Sequence, residues 1–280
     1  MKILILAILL LMKVFIISFF FVLAGTAVTY GQIDTLIDVG TYKLHFKILK
    51  GKEAPILFES GGGLDASQWD SISTVLHQKL NATIITYDRQ GFGLSGLDTT
   101  AYTILNEGKG LTLALQKLGY AQQDLLLVSH SLGAFYSTLY ASNNPTLVKG
   151  MIMLDPRIPS YADMRFARKI FKTLNRSNFG KNDLGLYYVL AQMEQNSNFI
   201  RKKVIPSNIP VLVVMAEKGP FDNKADNDRF QEAQRQFIKK RKKGDLILAK
   251  GSTHNIPQDQ PELVISEIEH FYRRYLLDLK

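Results

Sequence analysis

Three kinds of side chain, placed at three points of the chain, could together carry out nucleophilic acyl chemistry. Ser131 lies in Leu125-Leu126-Leu127-Val128-Ser129-His130-Ser131-Leu132-Gly133-Ala134, a short apolar run that reads as a buried strand and leads into a helix. A serine on the sharp turn between such elements has its hydroxyl pushed clear of the backbone. The residues two before and two after it must be small, and Ser129 and Gly133 are. The Leu132 amide opens the helix, where N-terminal amides favour developing negative charge. An ordinary helix start would also use serine as a cap, but the strand–turn–helix order favours the nucleophile.

A serine nucleophile needs a base. Of the five histidines, His45 falls in a strand, His77 and His270 in helices, and His130 beside Ser131 itself. His254, in Gly251-Ser252-Thr253-His254, sits in a loop between the final strand and the last helix, from which an imidazole can return to Ser131. The base in turn needs an acid that holds its tautomer and stabilises its cation. Two loops can supply one. Asp155 ends the run Gly150 to Leu154, and Asp222 follows the run Val211 to Met215, where Glu217 is a weaker candidate. Asp155 is preferred; its structural alternative is strand termination before Pro156, since a residue preceding proline stays extended. Asp88 is expected to tie down its own turn with Arg89.

The elements that must position these groups alternate along the chain. Thr41 to Leu49 alternates at period two and reads as an antiparallel edge strand. Pro55 to Phe58, Thr83 to Tyr87, Leu125 to Val128, Val148 to Leu154, Val211 to Met215 and Leu246 to Leu248 read as buried strands. Helical spacing marks Trp69 to Leu80, Ile104 to Leu118, the stretch to Ala141 and about Pro261 to Leu277. Such alternation implies an α/β fold: a mostly parallel sheet covered by helices on both faces, with ligands at the carboxyl ends of its strands. Residues 157–208 interrupt the alternation as a small helical insert, rich in Arg, Lys, Phe and Tyr. They fall where a lid would cover that end of the sheet.

Taken together, Phe58-Glu59-Ser60-Gly61-Gly62-Gly63, Thr86-Tyr87-Asp88-Arg89-Gln90-Gly91-Phe92-Gly93, Val128 to Gly133 and Gly150 to Pro156 resemble the α/β-hydrolase superfamily, in its bacterial lipase- and esterase-like branch, over residues 40–278. Ser131 stands in what resembles the G-x-S-x-G nucleophile elbow, with Ser129 replacing the first glycine. The resemblance implies a cofactor-free, metal-free serine hydrolase acting on a small-molecule acyl substrate through an acyl-enzyme. The order serine, acid, histidine is the family's. Asp155 stands where pancreatic-type lipases carry their acid; many relatives carry it after the later strand, where Asp222 lies beyond the expected position. The resemblance also implies an oxyanion hole from the amides of Leu132 and Gly62, since Ser60 to Gly63 stands where relatives carry His-Gly-x. Relatives that open epoxides or remove halide use an aspartate nucleophile, against which Ser131 argues. Amide, thioester or lactone cleavage and proline aminopeptidase activity belong to the same chemistry. A non-catalytic binding protein of this fold is the alternative from another class, and a membrane-anchored scaffold is a third.

Composition sets the remaining bounds. The chain has 280 residues, 46% of them hydrophobic, enough for one large core. It has no cysteine, which excludes disulfides, thiolate metal sites and a cysteine nucleophile. The formal charge is +9, with basic clusters at Arg165 to Lys172 and Lys239 to Lys243. Solvated helix faces and a helix C-terminus account for these; contact with an anionic membrane surface is the alternative. No nucleic-acid recognition motif accompanies the charge. Residues 1–31 read as a leader. One reading is a cleaved signal starting at Met12-Lys13, with a cut before Gln32 or after Ala27. The other is an uncleaved anchor, since Ile3 to Val28 is long enough to span a bilayer. Either places residues 32–280 outside the cytoplasm, periplasmic or secreted.

Overall fold

Apolar runs with no polar alternation can be buried only on both sides, and the chain does this with one eight-stranded sheet. The structure is a computed structural model that describes residues 31–277. The leader lies outside the described residues, apart from Gly31. Among the described residues no helix is long and apolar enough to cross a membrane.

The strands are β1 (Gln32–Asp38), β2 (Lys43–Leu49), β3 (Glu53–Glu59), β4 (Ala82–Tyr87), β5 (Leu125–His130), β6 (Val148–Leu154), β7 (Val211–Ala216) and β8 (Gly244–Ala249). Their order across the sheet is β1-β2-β4-β3-β5-β6-β7-β8. The β1–β2 and β2–β4 pairs are antiparallel and the others parallel. Two details differ from the sequence reading. The strand read from Thr41 to Leu49 is not at the edge, because β1 pairs outside it along its whole length. And Lys224–Lys239 forms a helix that its polar composition concealed.

The helices of eight or more residues are α1 (Asp70–Leu80), α2 (Ile104–Lys117), α3 (Gly133–Asn143), α4 (Tyr161–Thr173), α5 (Leu184–Ala191), α6 (Met193–Ile200), α7 (Lys224–Lys239) and α8 (Pro261–Tyr272). Alternate strand residues enter two core layers. Leu57, Leu127, Met151 and Val213 lie in one, with Leu111 of α2 and Ile238 of α7. Phe58, Val128, Ile152 and Val214 lie in the other, with Ile72 of α1 and Ile268 of α8. The described residues from Gln32 onward group as one compact unit; it contains the whole sheet and both layers, and so carries a core of its own.

Strand β3 connects to β4 on one side and β5 connects to β6 on the other. The crevice between the ends of β3 and β5 is therefore a topological switch point, the usual ligand position in such sheets. Helices α4, α5 and α6 occupy the interval between β6 and β7, which is the insert read at 157–208.

Candidate active site

Strand β5 runs into α3 through Ser131, whose φ of 52° lies in the left-handed region. Such a conformation costs a non-glycine residue about 1–3 kcal/mol and persists only where the surroundings hold it. Here the Ser131 amide donates to the Leu154 carbonyl at 3.0 Å, and the Arg157 amide donates to the Ser131 carbonyl at 3.0 Å. The turn is tight enough that a Cβ on Gly133 would come within 2.4 Å of the Glu59 carbonyl oxygen. Ser129, which replaces the motif's first glycine, fits without exposure, its Oγ directed at the Ile152 carbonyl 3.5 Å away.

Ser131 Oγ lies 2.9 Å from Nε2 of His254, and Nδ1 of the same ring lies 2.6 Å from Oδ2 of Asp155. An ionised carboxylate only accepts, so Nδ1 carries the proton and Nε2 is free to accept from the serine hydroxyl. Asp155 is fully buried. Its other oxygen accepts from the Ala216 amide at 3.2 Å and from Nε2 of Gln234 at 2.8 Å. These neutral donors orient the carboxylate without a competing cation. Asp155 is not extended as its place before Pro156 led us to expect: its φ is 40°, held by a 2.7 Å bond from its amide to the Val214 carbonyl.

The other acid candidates stand elsewhere. Asp222 is exposed. The Glu217 carboxylate accepts from the Gly251 amide and so fastens the His254 loop rather than the imidazole. Asp88 accepts from the Leu94 amide at 2.8 Å, within its own turn, and from the Ala66 amide and His45 Nδ1, each at 2.8 Å. Arg89 is not its partner. That side chain is buried and donates from both terminal nitrogens to the carbonyls of Ser60 and Gly61.

This arrangement orients the loop after β3. A peptide is planar and trans, so turning the Gly61 carbonyl toward Arg89 turns the Gly62 N–H the opposite way. The amides of Gly62 and Leu132 find no acceptor among the described residues. Both residues line one cavity of about 190 Å3 with Ser131 and His254. Ser60 stiffens the same loop, accepting from the Trp69 indole at 3.0 Å and donating to the Asp65 carbonyl at 2.8 Å.

A second set of bonds joins three loops. The Gly61 amide donates to Oε1 of Gln68 at 2.9 Å, Gln68 Nε2 meets His130 Nδ1 at 2.7 Å, and His130 Nε2 meets the His254 carbonyl at 2.8 Å. With its oxygen taken, Gln68 donates; His130 Nδ1 accepts, and its Nε2–H donates to the carbonyl. Burial, then the neighbouring His254, push the His130 pKa down to about 3, so the ring stays neutral.

Around Arg89 lies a buried polar cluster. Tyr87 donates to Glu59 at 2.9 Å, Tyr136 donates to Glu107 at 2.8 Å, and the guanidinium stands 4.8 Å from the Tyr136 ring centre. Burial raises Glu59 to about 8 and Glu107 to about 7, with Arg89 opposing the rise in both.

The rest of the cavity wall is mainly apolar: Phe166 of α4, Leu186, Val189 and Leu190 of α5, Met193 of α6, with Phe221 and Phe230. The helical insert thus forms one side of the space that holds Ser131. The sequence reading missed Gln234 and Gln68. Gln234 shares the buried stripe of α7 with Phe230 and Ile238, and a glutamine at i, i+4 spacing among apolar residues was a readable signal.

The comparisons agree with this architecture. The model of the alpha/beta hydrolase family matches residues 56–267. The protein YqjL of Bacillus subtilis (strain 168), described as uncharacterized, is 28% identical over 210 residues, 75% of this chain and 79% of its own. Among solved structures, wild-type Cfl2 from Burkholderia cenocepacia superposes with a TM-score of 0.62 at 18% identity, over 87% of this chain and 96% of its own. A Vigna radiata epoxide hydrolase mutant gives 0.65 at 14%, over 87% and 99%. A thermophilic esterase from Thermogutta terrifontis gives 0.59 at 16%, over 87% and 98%. At these identities the likeness is one of fold.

Proposed function

The chain belongs to the alpha/beta hydrolase family, and from that premise we propose that it is a serine hydrolase cleaving a carboxylic ester, or a related acyl bond, through an acyl-enzyme. The observation that carries this reading is the continuous chain Ser131 Oγ–His254–Asp155, at 2.9 and 2.6 Å, opening on a largely apolar cavity.

In this reading Ser131 Oγ attacks the acyl carbonyl while His254 Nε2 takes its proton. Asp155 accepts from the imidazolium that forms and stabilises it. The carbonyl oxygen, now negative, is received by the amides of Gly62 and Leu132. His254 returns the proton to the departing alcohol. Water then attacks the acyl-enzyme carbonyl as the same imidazole takes its proton, and that proton passes to Ser131 Oγ as the serine ester bond breaks and the acid leaves. The cavity of about 190 Å3 is small beside the 300–1,000 Å3 of drug-sized sites, which favours short acyl groups.

The test is hydrolysis of p-nitrophenyl acetate and butyrate, with fluorophosphonate labelling, on wild type, Ser131→Ala, Asp155→Asn and Asp222→Asn. Expected are turnover and labelling of wild type, neither with Ser131→Ala, a loss of about 10⁴ in kcat with Asp155→Asn, and near-wild-type rates with Asp222→Asn. Folded wild type that neither turns over nor labels would instead favour a binding protein built on the same fold.

A further inference from the structure

Most of the net positive charge of this protein falls in the insert. Ten basic and three acidic residues fall between 157 and 208, so this insert carries +7 of the chain's +9. Helix α4 separates its residues cleanly. Asp163 and Ala167 are buried and Phe166 is half-buried, and Asp163 and Phe166 line the cavity that holds Ser131. At 100° per residue, Tyr161, Arg165, Arg168, Lys169 and Lys172 fall on a single stripe of the opposite side, and all five are exposed.

That stripe contains no acidic residue. Arg168 is paired with Glu194 of α6. Arg165, Lys169 and Lys172 form no ion pair among the described residues, although Asp226 of α7 is near enough to feel Lys169. The stripe is extended by Arg201, whose guanidinium lies 4.2 Å from the Tyr161 ring centre, and Lys202 follows it in the chain. Apolar side chains are exposed beside these cations: Tyr161, at 64%, under Arg201 and Phe171, at 53%, beside Arg168; Val204, two residues after Lys202, is exposed as well.

We propose that the outer face of the insert is a docking surface for an anionic lipid bilayer, with the cations at the headgroups and Tyr161 and Phe171 at the interface. Two observations favour lipid over other polyanions. The exposed aromatic and aliphatic groups are interleaved with the charge, which suits a surface that is anionic outside and apolar beneath. The opposite side of the same helix lines the Ser131 cavity, so docking brings that cavity to the membrane. Each basic residue near an anionic leaflet strengthens adsorption about fivefold, so three unpaired cations on one stripe suffice for a clear preference.

The test is cosedimentation of the protein beginning at Gln32 with vesicles of phosphatidylcholine, alone or mixed with phosphatidylglycerol. Expected is binding to the mixed vesicles at least about tenfold tighter than to the neutral ones, weakening as salt is raised. The triple variant Arg165→Glu, Lys169→Glu, Lys172→Glu should lose that preference. The triple variant Lys239→Glu, Lys240→Glu, Lys243→Glu, with the same change in net charge, should keep most of it. Equal binding of wild type to both vesicles overturns the proposal without requiring any variant. So does equal loss in both triple variants, which would assign the effect to net charge. Duplex DNA displacing the vesicles at matched charge would assign the face to polyanions in general, and overturns it too. None of these readouts depends on Ser131 being catalytic.

Discussion

His130, the residue before Ser131, reaches across to the main-chain carbonyl of His254, 2.8 Å from its Nε2. The residue before Ser131 therefore anchors the backbone of the residue whose ring meets Ser131. The rings of His130 and His254 lie 4.8 Å apart, so the acyl transfer proposed above requires His130 to be neutral. Burial keeps it so, and Gln68, donating to Nδ1, fixes its tautomer.

Changing Gln68→Glu should convert that donor into an acceptor and draw a proton onto His130. An imidazolium so close opposes the second one that acylation forms on His254. Near neutral pH, kcat/KM should fall by at least about tenfold and recover as pH rises and His130 loses its proton. Gln68→Met removes the bonds without adding charge and should lower activity evenly across pH. Identical pH profiles for the two variants would reduce Gln68 to a packing role.

Arg89 grips the Ser60 and Gly61 carbonyls with two nitrogens of one planar group, a geometry lysine cannot reproduce. Arg89→Lys keeps the charge that Glu59 and Glu107 face but releases one carbonyl. Its kcat should drop about 10²-fold with KM little changed, because the Gly62 amide contributes mainly when the oxyanion forms. A rise in KM at unchanged kcat would show that the loop serves binding instead.

The buried acids make stability depend on pH. Glu59 and Glu107 have folded pKa values raised to about 8 and about 7. Above their unfolded pKa, about 4.3, the unfolded chain has released protons that the folded protein still holds. Their contribution is complete below that pH and is lost as pH rises through 7 and 8. The melting temperature should fall by several degrees between about pH 6 and about pH 9 on this account alone. Glu59→Gln and Glu107→Gln should each flatten the decline, as thermal unfolding across that range would show.

Gly133 has no room for a side chain, since its Cβ would meet the backbone of Glu59 and Ser60. Gly133→Ala should cost about 3 kcal/mol. Ser129→Gly, which restores the motif's usual residue, should change stability by no more than about 1 kcal/mol. Denaturant midpoints decide both; equal costs would mean that α3 approaches the end of β3 less closely than the backbone of Glu59 and Ser60 around Gly133 implies.

Much of this protein was legible in its sequence because the relevant signals are local. Uninterrupted apolar runs such as Leu125 to Val128 identify buried strands, and small residues around Ser131 identify a sharp turn, whatever lies elsewhere. Long-range partners carry no such mark. Asp155 and Asp222 both follow strands, and only the folded sheet shows that the end of β6 meets the His254 loop while Asp222 faces solvent. Lys224–Lys239 looked polar along its length because only Phe230, Gln234 and Ile238 are buried. The strand Gln32–Asp38 alternates too weakly to announce itself next to the leader. Gln68 and Arg89 could not be assigned from their neighbours, since each acts through hydrogen bonds to loops distant in sequence or to backbone atoms, which leave no trace in residue type. What the sequence determined by itself was therefore the fold class and the sharp turn at Ser131. Which acid meets His254, and what orients the Gly62 amide, were decided by tertiary structure, because those contacts exist only once separate strand ends have been brought together.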